Sequence, residues 1–266
     1  MRKFVLILVA LSSSLVRADD WNINAIWHDG LVEKATYTAS RPIYGKDRNY
    51  EAIIFTNKEQ HDLKTLTKAS GSNQTVEVWK HNHIEVVPTP NYDYKFETTT
   101  HMTADKLELT RLDCSSQEFC GTSFKQFMLR PGEKSLGFFL FSYMPEAGRQ
   151  DGTIKLGDRK VVPIDSLPLW LRDYDFASRP VVEFAAIASQ KSNRQTNPAV
   201  IPAVVQFGGE EGDSYRLDVS VSGKAIGSYW MAKDRLHVMT RAALADGQKY
   251  ELKKVERVNY WTIKGE

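Results

Sequence analysis

Apolar and polar residues alternate with a period of two along much of the chain, most regularly in its C-terminal part. Between residues 215 and 221, every second residue is apolar: Tyr215, Leu217, Val219 and Val221. Successive side chains of a strand point to opposite faces of a sheet, so this pattern predicts a strand buried on one face only. Similar stretches continue to residue 258 at short spacing, and together they predict an antiparallel meander.

The N-terminal part carries the same pattern in shorter runs that are rich in β-branched and aromatic residues. These predicted strands lie at residues 31–40, 50–56, 75–82 and 92–100. A β-hairpin is predicted over residues 107–129, where Leu107 and Leu109 precede a polar tip and apolar residues recur after it. We therefore predict an all-β protein with minor α content, whose antiparallel sheets form a sandwich or a curved half-barrel.

One short helix is predicted near residues 165–173. Asp165 or Ser166 can cap its start, and Pro168 is compatible with a first helical turn. Leu167, Trp170 and Leu171 then share one face.

A change of composition divides the chain in its middle, where residues 149–158 are rich in glycine and charge. We place residues 19–148 in an N-terminal β-sheet region that contains the hairpin. Residues 149–266 form a C-terminal antiparallel meander region. The two regions are predicted either as two sheets or as one continuous domain.

The first 18 residues have the layout of a cleavable signal peptide. Arg2 and Lys3 precede an apolar run over residues 4–11, and Val16 and Ala18 occupy the −3 and −1 positions of a predicted cut. There is no cysteine near that cut, so a lipoprotein is not expected. Beyond it, no apolar run is long enough for a transmembrane segment. The sequence predicts a periplasmic or extracellular protein.

The balance of charge argues against nucleic acid as a partner. The full chain has 35 basic and 33 acidic residues, a net charge of +2. The predicted leader contains Arg2, Lys3 and Arg17 and no acidic residue, which leaves 32 basic against 33 acidic residues and a net charge of −1. No cluster of Lys and Arg with interleaved aromatic residues remains, so the electrostatic signature of nucleic-acid binding is missing.

The two cysteines, Cys114 and Cys120, lie close to the tip of the predicted hairpin. In an oxidising compartment, two such cysteines are expected to form a disulfide. Ser116, Gln117 and Glu118 lie between them and form a candidate polar site at the tip. An alternative is that Cys120 serves as a nucleophilic thiol, which needs an adjacent base or a positively charged setting.

The most metal-like pattern is His81, His83 and Glu85, which share one face if residues 75–86 form a strand. Two imidazoles and a carboxylate can bind zinc, copper or iron. The alternative is a polar, solvated strand face. The sequence lacks the usual hydrolase, nucleotide and dinucleotide motifs, and no cofactor is predicted.

The chain resembles a group of uncharacterised secreted bacterial proteins, often labelled "septum formation inhibitor Maf", in three short elements. These are Trp-His-Asp-Gly at residues 27–30, Tyr44-Gly45 with Arg48, and Ser-Gln-Glu-Phe-Cys-Gly at residues 116–121. The resemblance covers residues 27–145 and implies an exported, sheet-rich protein without a known activity. The Maf proteins from which the label is taken are nucleotide pyrophosphatases with an S-x-R-R element near the start. Here that element is matched only by Ser-Arg-Pro at residues 40–42, so the resemblance supplies no catalytic residue.

The leading hypothesis from the sequence is therefore a non-catalytic binding or structural module of the bacterial envelope. An apolar small molecule such as a lipid, held by a curved sheet, or another envelope protein would be its partner. The alternative is an exported enzyme that uses the Cys120 thiol, or a metal at His81, His83 and Glu85.

Overall fold

The computed structural model describes residues 21–71, 74–194, 197–259 and 261, so the predicted leader lies outside the described residues. Two short 3₁₀ turns, Trp21–Ile23 and Ala25–His28, precede the strands. The described residues form fifteen strands: β1 Val32–Ile43, β2 Lys46–Asp62, β3 Thr75–Val87, β4 Tyr94–Thr103, β5 Leu109–Glu118, β6 Gly121–Met128, β7 Ser135–Ser142, β8 Gly148–Lys155, β9 Val161–Pro163, β10 Val182–Ile187, β11 Val200–Glu211, β12 Ser214–Val221, β13 Lys224–Ala232, β14 Met239–Leu244 and β15 Lys249–Val258.

All fifteen strands belong to one sheet, in the order β8 to β1 followed by β15 to β9. The chain therefore builds two meanders that are joined at the centre by antiparallel pairing of β1 with β15, from Val32 opposite Val258 to Ser40 opposite Lys249. Neighbouring strands are antiparallel except β9 and β10, which run parallel. The predicted regions 19–148 and 149–266 thus contribute to a single continuous sheet.

The sheet rolls up without closing. Near one of its ends, Val161 of β9 and Ile187 of β10 pack against Leu112, Phe127 and Leu140, which lie on one face of β5, β6 and β7. This rolled, antiparallel arrangement confirms the predicted all-β class. It corresponds to the curved alternative rather than to two stacked sheets.

The concave side of the roll, called the inner face below, carries the main hydrophobic core. Trp79 of β3 is completely buried there and packs against Trp21 and Trp27, with ring centroids 4.6 and 4.7 Å away. Tyr37 of β1 donates a hydrogen bond to the Met239 carbonyl at 2.9 Å, which ties β1 to β14 across the interior. The period-two alternation of the sequence is thus satisfied by a shared interior.

The predicted helix occurs at residues 164–173 as a 3₁₀ turn, the α-helical turn Leu167–Trp170 and a second 3₁₀ turn. The α-helical turn is buried, and the segment is anchored by charge. Arg172 donates to both carboxylate oxygens of Glu33 on β1, at 2.6 and 3.2 Å, and both side chains are almost fully buried. In the described part of the chain, no helix is long and apolar enough to cross a membrane.

The chain that follows β10 crosses the inner face of β5, β6 and β7. Its backbone carbonyls accept hydrogen bonds from side chains of those strands. Lys125 Nζ donates to the carbonyls of Gln190 and Ser192, both at 2.9 Å, and Ser142 donates to that of Asn193 at 2.7 Å. These contacts hold residues 190–193, called the crossing segment below, inside the roll.

Candidate functional site

The roll encloses a cavity of about 280 Å³ on its inner face. Most of its wall comes from the C-terminal meander, and the remainder comes from the helical segment, residues 188–191 and strands β3 and β4. The aliphatic residues of the wall include Ile164, Ile201, Val221, Ile226, Met239, Ala242 and Leu244. The cavity extends to one end of the roll, where Val221 ends β12 and where Ala245, Asp246 and Gln248 connect β14 to β15.

Strand alternation explains why these side chains reach the cavity. Ala242 of β14 lies opposite Tyr229 of β13 and Tyr250 of β15, and all three are buried on the inner face. Their neighbour Ala243 lies on the outer face of β14. The periodicity identified in the sequence therefore supplies the apolar wall of the cavity, although it does not reveal that a cavity is left between the walls.

A buried ionic cluster borders the cavity, and Glu85 of β3 is its centre. The carboxylate accepts hydrogen bonds at Oε1 from Lys191 Nζ at 2.8 Å and from the Tyr250 hydroxyl at 2.5 Å. Its other oxygen, Oε2, accepts from Arg41 Nη1 at 3.3 Å. His83 Nε2 lies 3.1 Å from Oε1. One buried anion thus faces two cations, a tyrosine and an imidazole.

The electrostatics of this cluster fix its charges near neutral pH. Burial opposes ionisation of Glu85, but the charges of Lys191 and Arg41, together with the hydrogen bond to His83, outweigh it and hold the pKa of that carboxyl well below its usual range. Burial, followed by the charge of Lys191, lowers the pKa of His83. Burial also raises the pKa of Tyr250 well above that of a free phenol. The cluster therefore holds an ionised glutamate, a neutral histidine and a neutral tyrosine.

Asp165 of the helical segment provides a second acid at the cavity wall. Its carboxylate accepts from the Ser189 hydroxyl at 2.5 Å and from the Gln190 backbone N–H at 2.7 Å. These bonds fix the start of the crossing segment, from which Lys191 reaches Glu85. The helical segment and the crossing segment thus place the polar side chains of the site together.

The predicted disulfide between Cys114 and Cys120 is not formed, because both cysteines are free. Cys114 lies opposite Lys125 in the middle of the hairpin, whereas Glu118 and Gly121 form the last pair before the turn that holds Cys120. Four strand residues from Cys114 to Glu118 span about 13 Å, and a disulfide needs Cα atoms within about 7 Å. The short spacing in sequence wrongly suggested a disulfide. In the extended hairpin, Cys114 lies several residues away from the turn that holds Cys120.

The predicted polar site at the hairpin tip is divided between the two faces of β5. Ser116 is buried and shares a hydrogen bond of 2.6 Å with Ser123. Gln117 is exposed on the other face. Glu118 accepts hydrogen bonds from Tyr143 and, at 2.7 Å, from Asn193.

Cys120 lies in a surface cleft of about 460 Å³ beside Glu118, and five aromatic side chains contribute to its wall. The hydrogen bond that the structure gives its thiol is to the Tyr92 hydroxyl, at 3.2 Å. This hydrogen bond is the main cause that raises the pKa of Tyr92, so the phenol stays protonated near neutral pH and cannot take the proton of the thiol. The nucleophile hypothesis receives no support from this contact.

His81, His83 and Glu85 lie on the inner face of β3, and all three are buried. His81 Nδ1 lies 3.0 Å from the Thr56 hydroxyl. Glu85 is already neutralised by Lys191 and Arg41, so a third cation at that carboxylate is electrostatically disfavoured. The contacts favour a structural ion cluster, while the predicted metal remains a prediction.

Lys191 and Asp165 border the inner cavity, but the sequence analysis did not identify either as a site residue. Lys191 lies more than 100 positions from Glu85 and in a polar stretch with no periodicity. The local sequence around Asp165 indicates only a helix cap. The one available signal was Glu85 itself, since a glutamate on the buried face of a strand requires a positively charged partner.

Comparison with known proteins places the fold in a β-barrel-like class. The chain is similar to the crystal structure of a β-barrel-like protein of a domain of unknown function, DUF1849, from Brucella abortus. The similarity has a TM-score of 0.52 at 11% sequence identity, and it covers 86% of this chain and 98% of that one. No family model matches the sequence, and no curated protein does. These comparisons support the fold alone.

Proposed function

We propose that this protein is a non-catalytic binding module that holds an apolar or amphipathic small molecule in the inner cavity. The observation that carries the proposal is the cavity of about 280 Å³, whose aliphatic wall ends at a buried ionic cluster. Ligand sites typically combine a mostly apolar concave wall with a few fixed polar groups, and this volume is near the lower limit of their usual range.

The arrangement of the wall favours a ligand with a slender apolar part and a polar end. The apolar part contacts Ile226, Ala242 and Leu244 of the C-terminal meander. The polar end lies toward Lys191 and Ser189, which border the same cavity. A lipid or a fatty acid has this character, because its chain gains from burial while its head needs hydrogen-bond partners.

Export to the periplasm or the extracellular space is a second part of the proposal. It is supported by the leader-like pattern of residues 1–18. Determination of the N-terminal residue of the protein recovered from its host tests this part. A start at Asp19 is expected, and a retained Met1 would contradict export with cleavage.

A pair of neighbouring alanines tests the binding proposal. In Ala242→Leu the added side chain fills the cavity, whereas Ala243→Leu adds the same atoms to the outer face of β14. Titration with a dansyl-labelled fatty acid should give saturable fluorescence with the natural protein and with Ala243→Leu. We expect about a tenfold weaker affinity for Ala242→Leu, equivalent to about 1.4 kcal/mol.

Native mass spectrometry of protein purified from its own host provides the second measurement. A bound small molecule that is lost from Ala242→Leu supports the proposal. An empty protein that also fails to bind the probe, or equal affinity in the two alanine variants, contradicts it. Circular dichroism of both variants confirms that the sheet is intact.

A further inference from the structure

A second cluster of ligand-type side chains lies on the outer face of the sheet, at the end opposite the β14–β15 connection that borders the cavity. It consists of Glu59 and His61 of β2 and His101 of β4. Glu59 Oε1 lies 2.9 Å from His61 Nε2 and 3.5 Å from His101 Nε2. The two imidazole rings lie 4.3 Å apart between centroids.

The register of three strands explains how these distant residues meet. Glu59 and His61 are two residues apart on β2 and therefore point to the same face. Strand β3 separates them from β4, but Val78, the residue opposite Glu59, is short and fully buried. Glu59 and His101 reach each other over this small side chain, on the same face.

The connection that follows β2 folds back beside the cluster. His61 pairs with Lys68 through an isolated bridge, and the Ala69 N–H donates to the Gln60 carbonyl at 2.8 Å. Leu66 of this connection is almost fully buried, and Arg111 holds its carbonyl at 3.2 Å. His61 and His101 are consequently both buried, whereas Glu59 retains a small exposed fraction.

The donor set and its spacing match those of a transition-metal site. Two imidazole nitrogens and one carboxylate oxygen are ligands that Zn²⁺ accepts, and three protein ligands leave a fourth position open. Atoms that share a tetrahedral zinc ion lie roughly 3.4 Å apart, given metal–ligand bonds of about 2.0–2.2 Å. The distances of 2.9 and 3.5 Å need little adjustment to reach that value.

Both imidazole rings direct Nε2 toward Glu59, which is the geometry that shared ligation requires. Nδ1 of His61 and Nδ1 of His101 are buried and have no hydrogen-bond partner among the described residues. Each ring therefore makes its polar contact through Nε2, the atom that faces Glu59. The glutamate and the two Nε2 atoms thus converge on one point from two strands.

We propose that Glu59, His61 and His101 bind a divalent transition-metal ion, with Zn²⁺ as the best match and the fourth position taken by solvent or by an external ligand. The site is separate from the inner cavity and goes beyond the binding function proposed for it. It also differs from the predicted inner set of His81, His83 and Glu85, which lies on the opposite face of β3.

Zinc titration of the chelator-stripped full chain tests the proposal, with a fluorescent zinc indicator as the competitor. One Zn²⁺ per chain is expected. His61→Gln and His101→Gln should each weaken binding at least tenfold, since even the loss of an outer-shell partner costs about 10–100-fold. His28→Gln, which changes an exposed histidine elsewhere, should bind as the natural protein does.

A spectroscopic measurement distinguishes specific ligation from loss of structure. Co²⁺ bound in place of Zn²⁺ should give visible absorption in the natural protein and in His28→Gln, and not in His101→Gln. Circular dichroism should show all variants folded. Absence of a stoichiometric ion, binding in His61→Gln and His101→Gln as tight as in the natural protein, or loss of binding only in His83→Gln would each contradict the proposal.

Discussion

At the scale of the residue, the two cysteines show how the same side chain is given different chemistry by its position in a hairpin. The thiol of Cys114 donates to the Gln190 carbonyl at 3.1 Å in the interior of the roll. Burial raises the pKa of Cys114 to about 12. Cys120 is exposed at the turn. A thiol that is both buried and protonated is a poor nucleophile, so the two cysteines should differ greatly in reactivity.

We therefore expect alkylation of the unreduced native protein to modify Cys120 quickly and Cys114 only after unfolding. Treatment with N-ethylmaleimide, followed by intact-mass measurement, should show one adduct in buffer and two in denaturant. Cys120→Ser provides the control, because it should show none in buffer and one in denaturant. Two unreactive sulfurs in denaturant without reductant would instead indicate a disulfide.

At the scale of the element, a buried ion pair attaches the helical segment at residues 164–173 to the sheet. Arg172 pairs with Glu33, and its guanidinium also lies 5.6 Å from the ring centroid of Trp21 and 6.0 Å from that of Trp27. A buried glutamate without its partner is strongly destabilising, because the desolvated charge is no longer compensated. The segment is thus held by electrostatics as well as by its apolar residues.

Replacement of Arg172 by methionine keeps the apolar length of the side chain and removes the charge. We expect the free energy of unfolding to fall by about 3–5 kcal/mol, which urea denaturation measures. Arg149→Met breaks the exposed pair with Asp151 on β8 and should have little effect. Equal stability of the two variants would show that Glu33 has found another partner.

The individual strands and the helix were largely predictable from the sequence, whereas the long-range strand pairing and side-chain contacts were not. The alternation at residues 215–221 became β12, and the helix near residues 165–173 occurs at residues 164–173, because both patterns depend only on local periodicity. Pairing of β1 with β15 joins residues at opposite ends of the described chain, and no local pattern encodes it. The meeting of Glu59 with His101 depends on register across an intervening strand, which the sequence does not display.

At the scale of the whole molecule, burial of neutral histidines couples the fold to pH. Burial, aided by the charge of Arg172, lowers the pKa of His81 well below its ordinary value of 6.5, and burial also lowers that of His83. Below about pH 6.5, the unfolded chain therefore binds protons that the folded protein does not. Glu85, whose pKa is held below the ordinary 4.5, adds a further loss of stability at lower pH.

The sign of this coupling gives a measurable expectation. The free energy of unfolding should be highest near neutral pH and should decrease as the pH falls from about 6.5 toward 5, with a steeper loss below about 4.5. Urea midpoints across this range provide the measurement. His81→Gln should flatten the upper part of the curve, whereas His28→Gln should leave it unchanged. A stability that rises on acidification would contradict the assigned protonation states.

The central position of the β1–β15 pair has a consequence for how the protein is made. Strands β1 to β8 can pair one after another during synthesis, because each pairs with its neighbour in the chain. The same holds for β9 to β15. The β1–β15 pair that joins the two meanders can form only after β15, the last strand, is available. Its formation closes a loop that contains all the other strands, and closing so long a loop is slow. We expect this pairing to be a late, rate-limiting step in refolding. Until it occurs, β1 and β15 each expose an unpaired strand edge that a chaperone could shield.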